Sequence, residues 1–366
     1  MTTYFKTSEW VSPGHPDKVA DCISEYILDR IIEQDPTARY AVEVQIKDDA
    51  VSLAGEIGTN LTITGDDITR WTQSAVSAIG YTEEYKAKWD RLDTICGNDI
   101  VACTHIGQQS KDIAQGVNRD AWGDQGIFFG YYCRETENGQ GIDYALAKRL
   151  GMVLYNEAKK GEMPIGLDIK TQVTVEMESS GEYEVRDVIV AIPTVKGEID
   201  DKELKKYVKG IIKEYLPEAE GANLIINGTG AYHIHGPVGD SGTTGRKLVV
   251  DFYGSRSRIG GGSPWTKDGT KADLTLNMFA YEMAKKYFEI LKNEINGLHH
   301  VETELSCCIG RQEVSCFVTA YDEQNVPAYQ TMESGKVKPS DLIKKYELDK
   351  PHYFEMCIDG LFSRIK

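Results

Sequence analysis

The stretch YAVEVQIKDDAVSLAGEI, residues 40–57, decides the fold. Apolar residues alternate along Tyr40 to Lys47 and again along Ala50 to Ile57, with Asp48-Asp49 as a turn between them. This is a β-hairpin with one apolar face. Helical periodicity flanks it. Ile23, Ile27 and Ile31 share one face of a run from Lys18 to Gln34 that stops at Asp35-Pro36, and a second run covers Asp66 to Ile79 before Gly80. The order is helix, hairpin, helix, and the hairpin's apolar face needs those helices as cover.

The same order returns twice. Tyr144 to Lys160 precedes strands at Gln172 to Met177 and Val185 to Ile192, then a helix from Asp200 to Tyr215. Ala272 to Asn293 precedes strands at Val301 to Ile309 and Glu313 to Tyr321, then a shorter helix from Pro339 to Tyr346. Leading helices that recur about every 125 residues point to a triplicated unit. The expected fold is α+β, with three related helix-hairpin-helix two-layer domains at residues 1–108, 120–228 and 232–366, whose elements can intertwine.

Composition narrows the function. The chain has 366 residues, 41% hydrophobic, and a formal net charge of −16. Such a charge repels a polyanionic duplex, and no basic stripe with interleaved aromatics offsets it, so nucleic acid is not an expected partner. No window has the run of about 20 apolar residues that crosses a bilayer, and the N-terminus lacks an apolar secretory core. A cytoplasmic protein without membrane contact is expected. The eight cysteines form no Cys-x-x-Cys pair, which favours reduced thiols over zinc ligands or disulfides.

Several segments combine acid, base and glycine. In Gly14-His15-Pro16-Asp17-Lys18, Pro16 suits the first helical position, so His15 is the N-cap and Asp17 lies in the first turn. A helix N-terminus favours phosphate, and an imidazole there can donate to a leaving oxygen; taken alone, both residues also suit plain capping. Gly239-Asp240-Ser241-Gly242-Thr243-Thr244-Gly245-Arg246-Lys247 lacks the Walker A order and runs into the strand-like Leu248 to Phe252. Its glycines allow close approach of phosphate to backbone, Arg246 can bind it bidentately, and Lys247 supplies a point charge. Upstream, Tyr232 offers a ring to stack on a base or simply to pack in the fold. In Lys267-Asp268-Gly269-Thr270-Lys271-Ala272-Asp273, a loop presents Lys267 and a helix start presents Lys271 and Asp273. Acidic oxygens for a hard cation and basic groups for phosphate together describe a metal–polyphosphate site.

With Ala121-Trp122-Gly123-Asp124-Gln125-Gly126, these segments occur in an order that resembles the methionine adenosyltransferase, or S-adenosylmethionine synthetase, family from about Ser8 onward, weakening after Lys336. The resemblance implies three domains about a pseudo-threefold axis, ATP and L-methionine as substrates, and active sites shared within a homodimer, with a tetramer as a further state. It implies two Mg²⁺ ions per site, at Asp17 and Asp273, and K⁺ at Glu43. It assigns ATP and its phosphates to His15, Asp168, Lys170, Tyr232, Arg246, Lys247, Lys267 and Lys271, of which His15, Lys170, Arg246 and Lys267 act in catalysis. Methionine falls to Glu56, Gln109, Asp124, Asp240 and Lys271.

Three positions depart from the family pattern: Pro13 where many members are acidic, Trp122 where a small residue is usual, and Thr243 in place of leucine. The segment from Gln109 to Asp124, which matches the family's active-site gate, is also short. Trp122 is expected either to cover the methionine pocket or to lie at a surface or interface.

The chemistry suits the residues. A thioether sulfur already carries its lone pair, so attack on C5′ of ATP needs no general base; it needs alignment and stabilised charge on the departing triphosphate. A magnesium-dependent phosphohydrolase of nucleotides or polyphosphate would use the same basic groups without a methionine pocket, and an idle regulatory subunit would bind ATP without turnover.

Overall fold

The computed structural model describes residues 3–108, 120–178 and 181–365. Along the chain, β1 (Thr3–Val11) leads into α1 (Pro16–Ile32), the hairpin β2 (Arg39–Lys47) and β3 (Ala50–Gly58), α2 (Gly65–Ile79) and β4 (Val101–Gln108). Next, β5 (Gly126–Cys133) leads into α3 (Ile142–Lys160), β6 (Lys170–Glu178), β7 (Tyr183–Ala191), α4 (Asp201–Tyr215) and β8 (Asn223–Ile226). Finally β9 (Gly242–Thr243) precedes α5 (Ala272–Leu291), β10 (Leu298–Cys307), β11 (Glu313–Asp322), β12 (Pro327–Lys336), α6 (Pro339–Lys345) and α7 (Tyr353–Asp359). Shorter helical turns are left unlabelled.

The strands form three four-stranded sheets, ordered β9-β2-β3-β4, β1-β6-β7-β8 and β5-β10-β11-β12. Each hairpin gains a strand on both sides. The strand that leads into a helix never pairs in the sheet under that helix. β1 precedes α1 but joins the sheet beneath α3; β5 precedes α3 but joins the sheet beneath α5; β9 precedes α5 but joins the sheet beneath α1. This cyclic exchange interlocks the three repeats and draws the loops between leading strand and helix toward the neighbouring repeat.

Hairpin alternation reads directly into layers. Tyr40, Val42, Val44 and Ile46 of β2 are buried, while Glu43 and Gln45 between them are exposed on the other face. Burying each of the three aliphatic side chains among them is worth about 1.5–3 kcal/mol. Ile23, Ile27 and Ile31 of α1 are fully buried, as their spacing requires. Capping boxes at Thr64/Asp67 and Asp200/Glu203 start α2 and α4.

Two expectations change. In the third repeat the outer strand β12 comes before the second helix and runs antiparallel to β11, whereas β4 and β8 follow theirs and run parallel to β3 and β7. A short connection permits only the antiparallel return. Leu248 to Asp251 is a helical turn, not a strand; past Thr244 the edge of β2 is taken by Thr266 and Lys267, which leaves that segment no strand to pair with there.

Candidate active site

The first motif is locked onto the start of β6. Ser12 N–H donates to the Ile169 carbonyl (2.9 Å), its hydroxyl donates to the Leu167 carbonyl (2.5 Å), and Ile169 N–H donates back to that hydroxyl (2.9 Å). Gly14 sits so close that a Cβ there would lie 2.4 Å from the Leu167 carbonyl oxygen. This contact brings His15 beside Asp168 and Lys170, which are distant in sequence.

His15 is the N-cap of α1, buried, with its Nδ1 accepting the Asp17 N–H at 3.1 Å. Burial pushes its pKa down to about 3, helped by the positive charges of Lys170 and Lys247. A neutral ring whose Nδ1 accepts must carry its proton on Nε2, so the imidazole presents an N–H donor and no net charge.

Asp17 is buried in the first turn of α1. Its Oδ1 accepts the Thr243 N–H (3.0 Å), its Oδ2 pairs with Lys247 Nζ (2.6 Å), and Arg246 Nε stands 3.6 Å from it. Burial pushes this carboxyl up, but Lys247 and the Thr243 N–H outweigh burial and leave it below its usual range. Asp168 contrasts with it. Burial pushes its carboxyl up to about 6 against the pull of the Gly236 N–H (3.0 Å) and Lys170, while Asp240 and Asp17 add repulsion. Its Oδ1 has no hydrogen-bond partner among the described residues, an open acceptor beside the Tyr232 hydroxyl, which donates to the Asp168 carbonyl (3.4 Å).

A second cluster lies beyond the 243–247 loop. Lys267, bridged through its backbone to Ala41 of β2, donates to Asp273 in the first turn of α5, and Lys271 is that helix's N-cap. A Cβ on Gly262 would stand 2.0 Å from Asp273 Oδ1, so only glycine leaves this carboxylate its place. Asp124, whose carbonyl accepts from Cys307 Sγ at 3.4 Å, lies on the same side, since both Asp124 and Asp273 help burial push the Cys307 thiol up to about 12. Glu43 joins the two clusters. It accepts hydroxyl hydrogen bonds from Thr244 and from Thr266 (3.2 Å).

The tertiary structure therefore gathers His15, Asp17, Asp168, Lys170, Tyr232, Asp240, Arg246 and Lys247 in one group and Asp124, Lys267, Lys271 and Asp273 in another. Among the described residues no hydrogen bond or ion pair runs directly between the two groups. Glu56 lies on β3 opposite Ala41 of β2, on the same sheet face as Glu43. Gln109 and the start of the short 109–124 segment lie outside the described residues. Trp122 is not the surface or interface residue expected: it is fully buried, and its backbone N–H donates to the Arg311 carbonyl (3.0 Å). Apolar packing claimed the ring. Sequence reading missed Ser12, Thr244 and Thr266, whose small hydroxyl side chains carry no signal until their partners are placed.

A buried imidazole, clustered lysines and arginine, and two carboxylates at helix N-termini are the groups that polyphosphate-leaving chemistry calls for. Comparison with known proteins specifies it. Residues 3–110 match the family model "S-adenosylmethionine synthetase, N-terminal domain", residues 119–232 its central domain and residues 234–366 its C-terminal domain. The likeness thus continues past Lys336. An S-adenosylmethionine synthase of Parafrankia sp. (strain EAN1pec) is 33% identical over 397 aligned positions, covering 100% of this chain and 94% of that protein. One from Clostridium tetani (strain Massachusetts / E88) is 34% identical over 383 positions, covering 98% and 94%. A solved structure described as an unusual S-adenosylmethionine synthetase from Campylobacter jejuni superposes with a TM-score of 0.86 at 27% identity, covering 98% of this chain and 94% of that one. The chain belongs to the S-adenosylmethionine synthetase family. Its activity is methionine adenosyl transfer, and the phosphohydrolase reading is not favoured.

Proposed function

We propose that this chain joins L-methionine to C5′ of ATP by in-line attack of the sulfur, releases triphosphate, and hydrolyses it to pyrophosphate and phosphate. The observation that carries the reading is the neutral, buried His15 facing Lys170 and Lys247. Its Nε2–H donates to the departing O5′ oxygen, where charge develops. Asp168, with its open Oδ1, takes a donor of the nucleoside, and Tyr232 stacks beside it. Departing triphosphate carries about four to five negative charges near neutral pH, more than one lysine can balance. Lys170, Arg246, Lys247, Lys267 and Lys271 hold its oxygens. Glu56, Gln109, Asp124, Asp240 and Lys271 orient methionine.

Asp17 and Asp273 suit two Mg²⁺ ions per site. No cluster of three or more His, Cys, Asp or Glu with metal-ligand geometry occurs among the described residues. That suits magnesium, which takes one or two carboxylates and completes its shell with phosphate and water oxygens. The Gly262 cradle keeps Asp273 available. Bound magnesium would neutralise phosphate charge. Each carboxylate also pairs with one of these lysines, Asp17 with Lys247 and Asp273 with Lys267. Glu43 with the Thr244 and Thr266 hydroxyls offers an all-oxygen face for K⁺.

A homodimer with shared active sites is the assembly that the family reading implies. Exposed sheet faces support it as well. Phe317 (46% exposed) and Met332 (58%) stand opposite one another on β11 and β12, on the face that also carries Ile127. Such apolar faces mark protein contacts. A size measurement is expected to give a dimer or a tetramer built from it; a monomer at working concentration would remove the shared-site reading. We take residues 1–108, 120–228 and 232–366 as the three domains, joined by the exchanged strands. We place the protein in the cytoplasm. No helix among the described residues is long and apolar enough to cross a membrane, and the cysteines are unpaired.

The test is direct. Purified protein with ATP, methionine, Mg²⁺ and K⁺ should release S-adenosylmethionine, pyrophosphate and phosphate in equal amounts; phosphate without the sulfonium product would return the phosphohydrolase. In the same assay Lys267→Ala should slow hydrolysis of added tripolyphosphate by at least about tenfold. Unchanged tripolyphosphate kinetics would remove Lys267 from the phosphate site.

A further inference from the structure

Asp17, Asp21, Glu25 and Asp29 recur at every fourth position of α1, and all are buried. Residues four apart stack on one helix face. A buried carboxyl group is costly unless hydrogen-bonded, and each of these accepts backbone N–H from a segment remote in sequence. Asp17 takes Thr243 (3.0 Å), Asp21 takes Gly245 (2.9 Å), Glu25 takes Thr266 (2.5 Å), and Asp29 takes Tyr353 and Phe354 (2.8 and 2.9 Å). Helix α1 is thus a row of acceptors on which three loops hang. Two of those contacts stop one residue short of Arg246 and of Lys267.

Backbone conformation adds a second observation. Thr266 has φ of +74°, in the left-handed region that a β-branched residue avoids. Such a residue persists only where its surroundings over-determine it. Here its N–H goes to Glu25, its hydroxyl to Glu43, and its carbonyl accepts the Val42 N–H (3.1 Å). Of the two carboxyl groups in this set, Glu25 is the buried one. Burial pushes its carboxyl well above the ordinary range against the pull of the Thr266 N–H; glutamine keeps its length and the oxygen that accepts that N–H.

We propose that Asp21 and Glu25 are positioning residues for triphosphate departure. Asp21 fixes the Gly245 peptide so that Arg246 and Lys247 face the phosphates, and Glu25 holds the strained Thr266 that aims Lys267. The proposal rests on the reading in which those cations bind triphosphate.

The test uses Asp21→Ala, Glu25→Ala, Glu25→Gln and Asp29→Asn in the full-length protein, with tripolyphosphate as probe and hydrogen exchange read by mass spectrometry. Asp21→Ala and Glu25→Ala should lose at least about tenfold in tripolyphosphate kcat while the KM for methionine moves less than about twofold. Glu25→Gln should stay within about threefold of the parent, because it keeps the acceptor for Thr266. Asp29→Asn, on the same stripe but holding residues 353–354, should leave both constants unchanged. Exchange should quicken at Gly245 in Asp21→Ala and at Thr266 in Glu25→Ala. Folded alanine variants with parental kcat, or equal losses in Glu25→Gln or Asp29→Asn, overturn the proposal. A parent that forms no sulfonium product would sink the functional reading instead, and unchanged exchange would still sink the positioning.

Discussion

Replacing His15 with asparagine should leave a folded protein that transfers adenosyl groups far more slowly. Asparagine is among the best N-caps, and its side-chain oxygen can take over the Asp17 N–H that Nδ1 accepts at 3.1 Å. What it cannot do is reach as far as Nε2. Losing one aligned donor to a developing oxyanion costs about 2.7–4 kcal/mol of barrier, or about a hundredfold to a thousandfold in kcat. The parent ring should also stay neutral. Because burial and the lysines push its pKa down to about 3, an imidazole NMR titration should show no His15 protonation from about pH 8 to about pH 5. The sign follows. A depressed histidine pKa means that acid favours the unfolded chain, so His15 subtracts stability only as pH falls below its unfolded value. A folded His15→Asn protein with most of the parental rate would remove the imidazole from the reaction.

Gly14→Ala should be nearly as damaging without touching any reacting group. Its Cβ would meet the Leu167 carbonyl oxygen at 2.4 Å and the carbonyl carbon at 2.6 Å, both backbone atoms that cannot swing aside. Ser12 bonds residues 167 and 169 on either side, so the strain falls on the junction that sets His15 against Asp168 and Lys170. Overpacking of this kind costs about 1–3 kcal/mol in stability. Misplacement by about 1 Å costs about a hundredfold in rate. The expected pattern is a modest fall in Tm with a collapse in kcat. Gly65→Ala, at the first turn of α2 where an added Cβ has nothing within 4 Å, should change neither. Parental kcat in Gly14→Ala would mean that the junction does not align the site.

Much of the architecture was legible because local rules enforce it. Tyr40, Val42, Val44 and Ile46 alternate because one strand face is buried, and Ile23, Ile27 and Ile31 follow the helical turn for the same reason. The N-cap geometry of His15 followed from Pro16. Trp122 failed because a tryptophan near a motif carries no local mark of which side it faces. Leu248 to Asp251 failed because its apolar run suits a strand or a short helical turn equally, and only the sheet's edge decides.

The sequence by itself determined the repeated helix-hairpin-helix order, the family, and the acids and bases that the chemistry requires, since periodicity and motif order are properties of neighbours in the chain. Tertiary structure alone decided that β1, β5 and β9 cross into neighbouring sheets, that Asp17 takes Lys247 while Asp273 takes Lys267, and that Asp21 and Glu25 hold Gly245 and Thr266. The contacts of Asp17, Asp21 and Glu25 join residues more than 200 positions apart. Nothing local specifies them; they form because buried carboxyl groups must find donors wherever packing brings them.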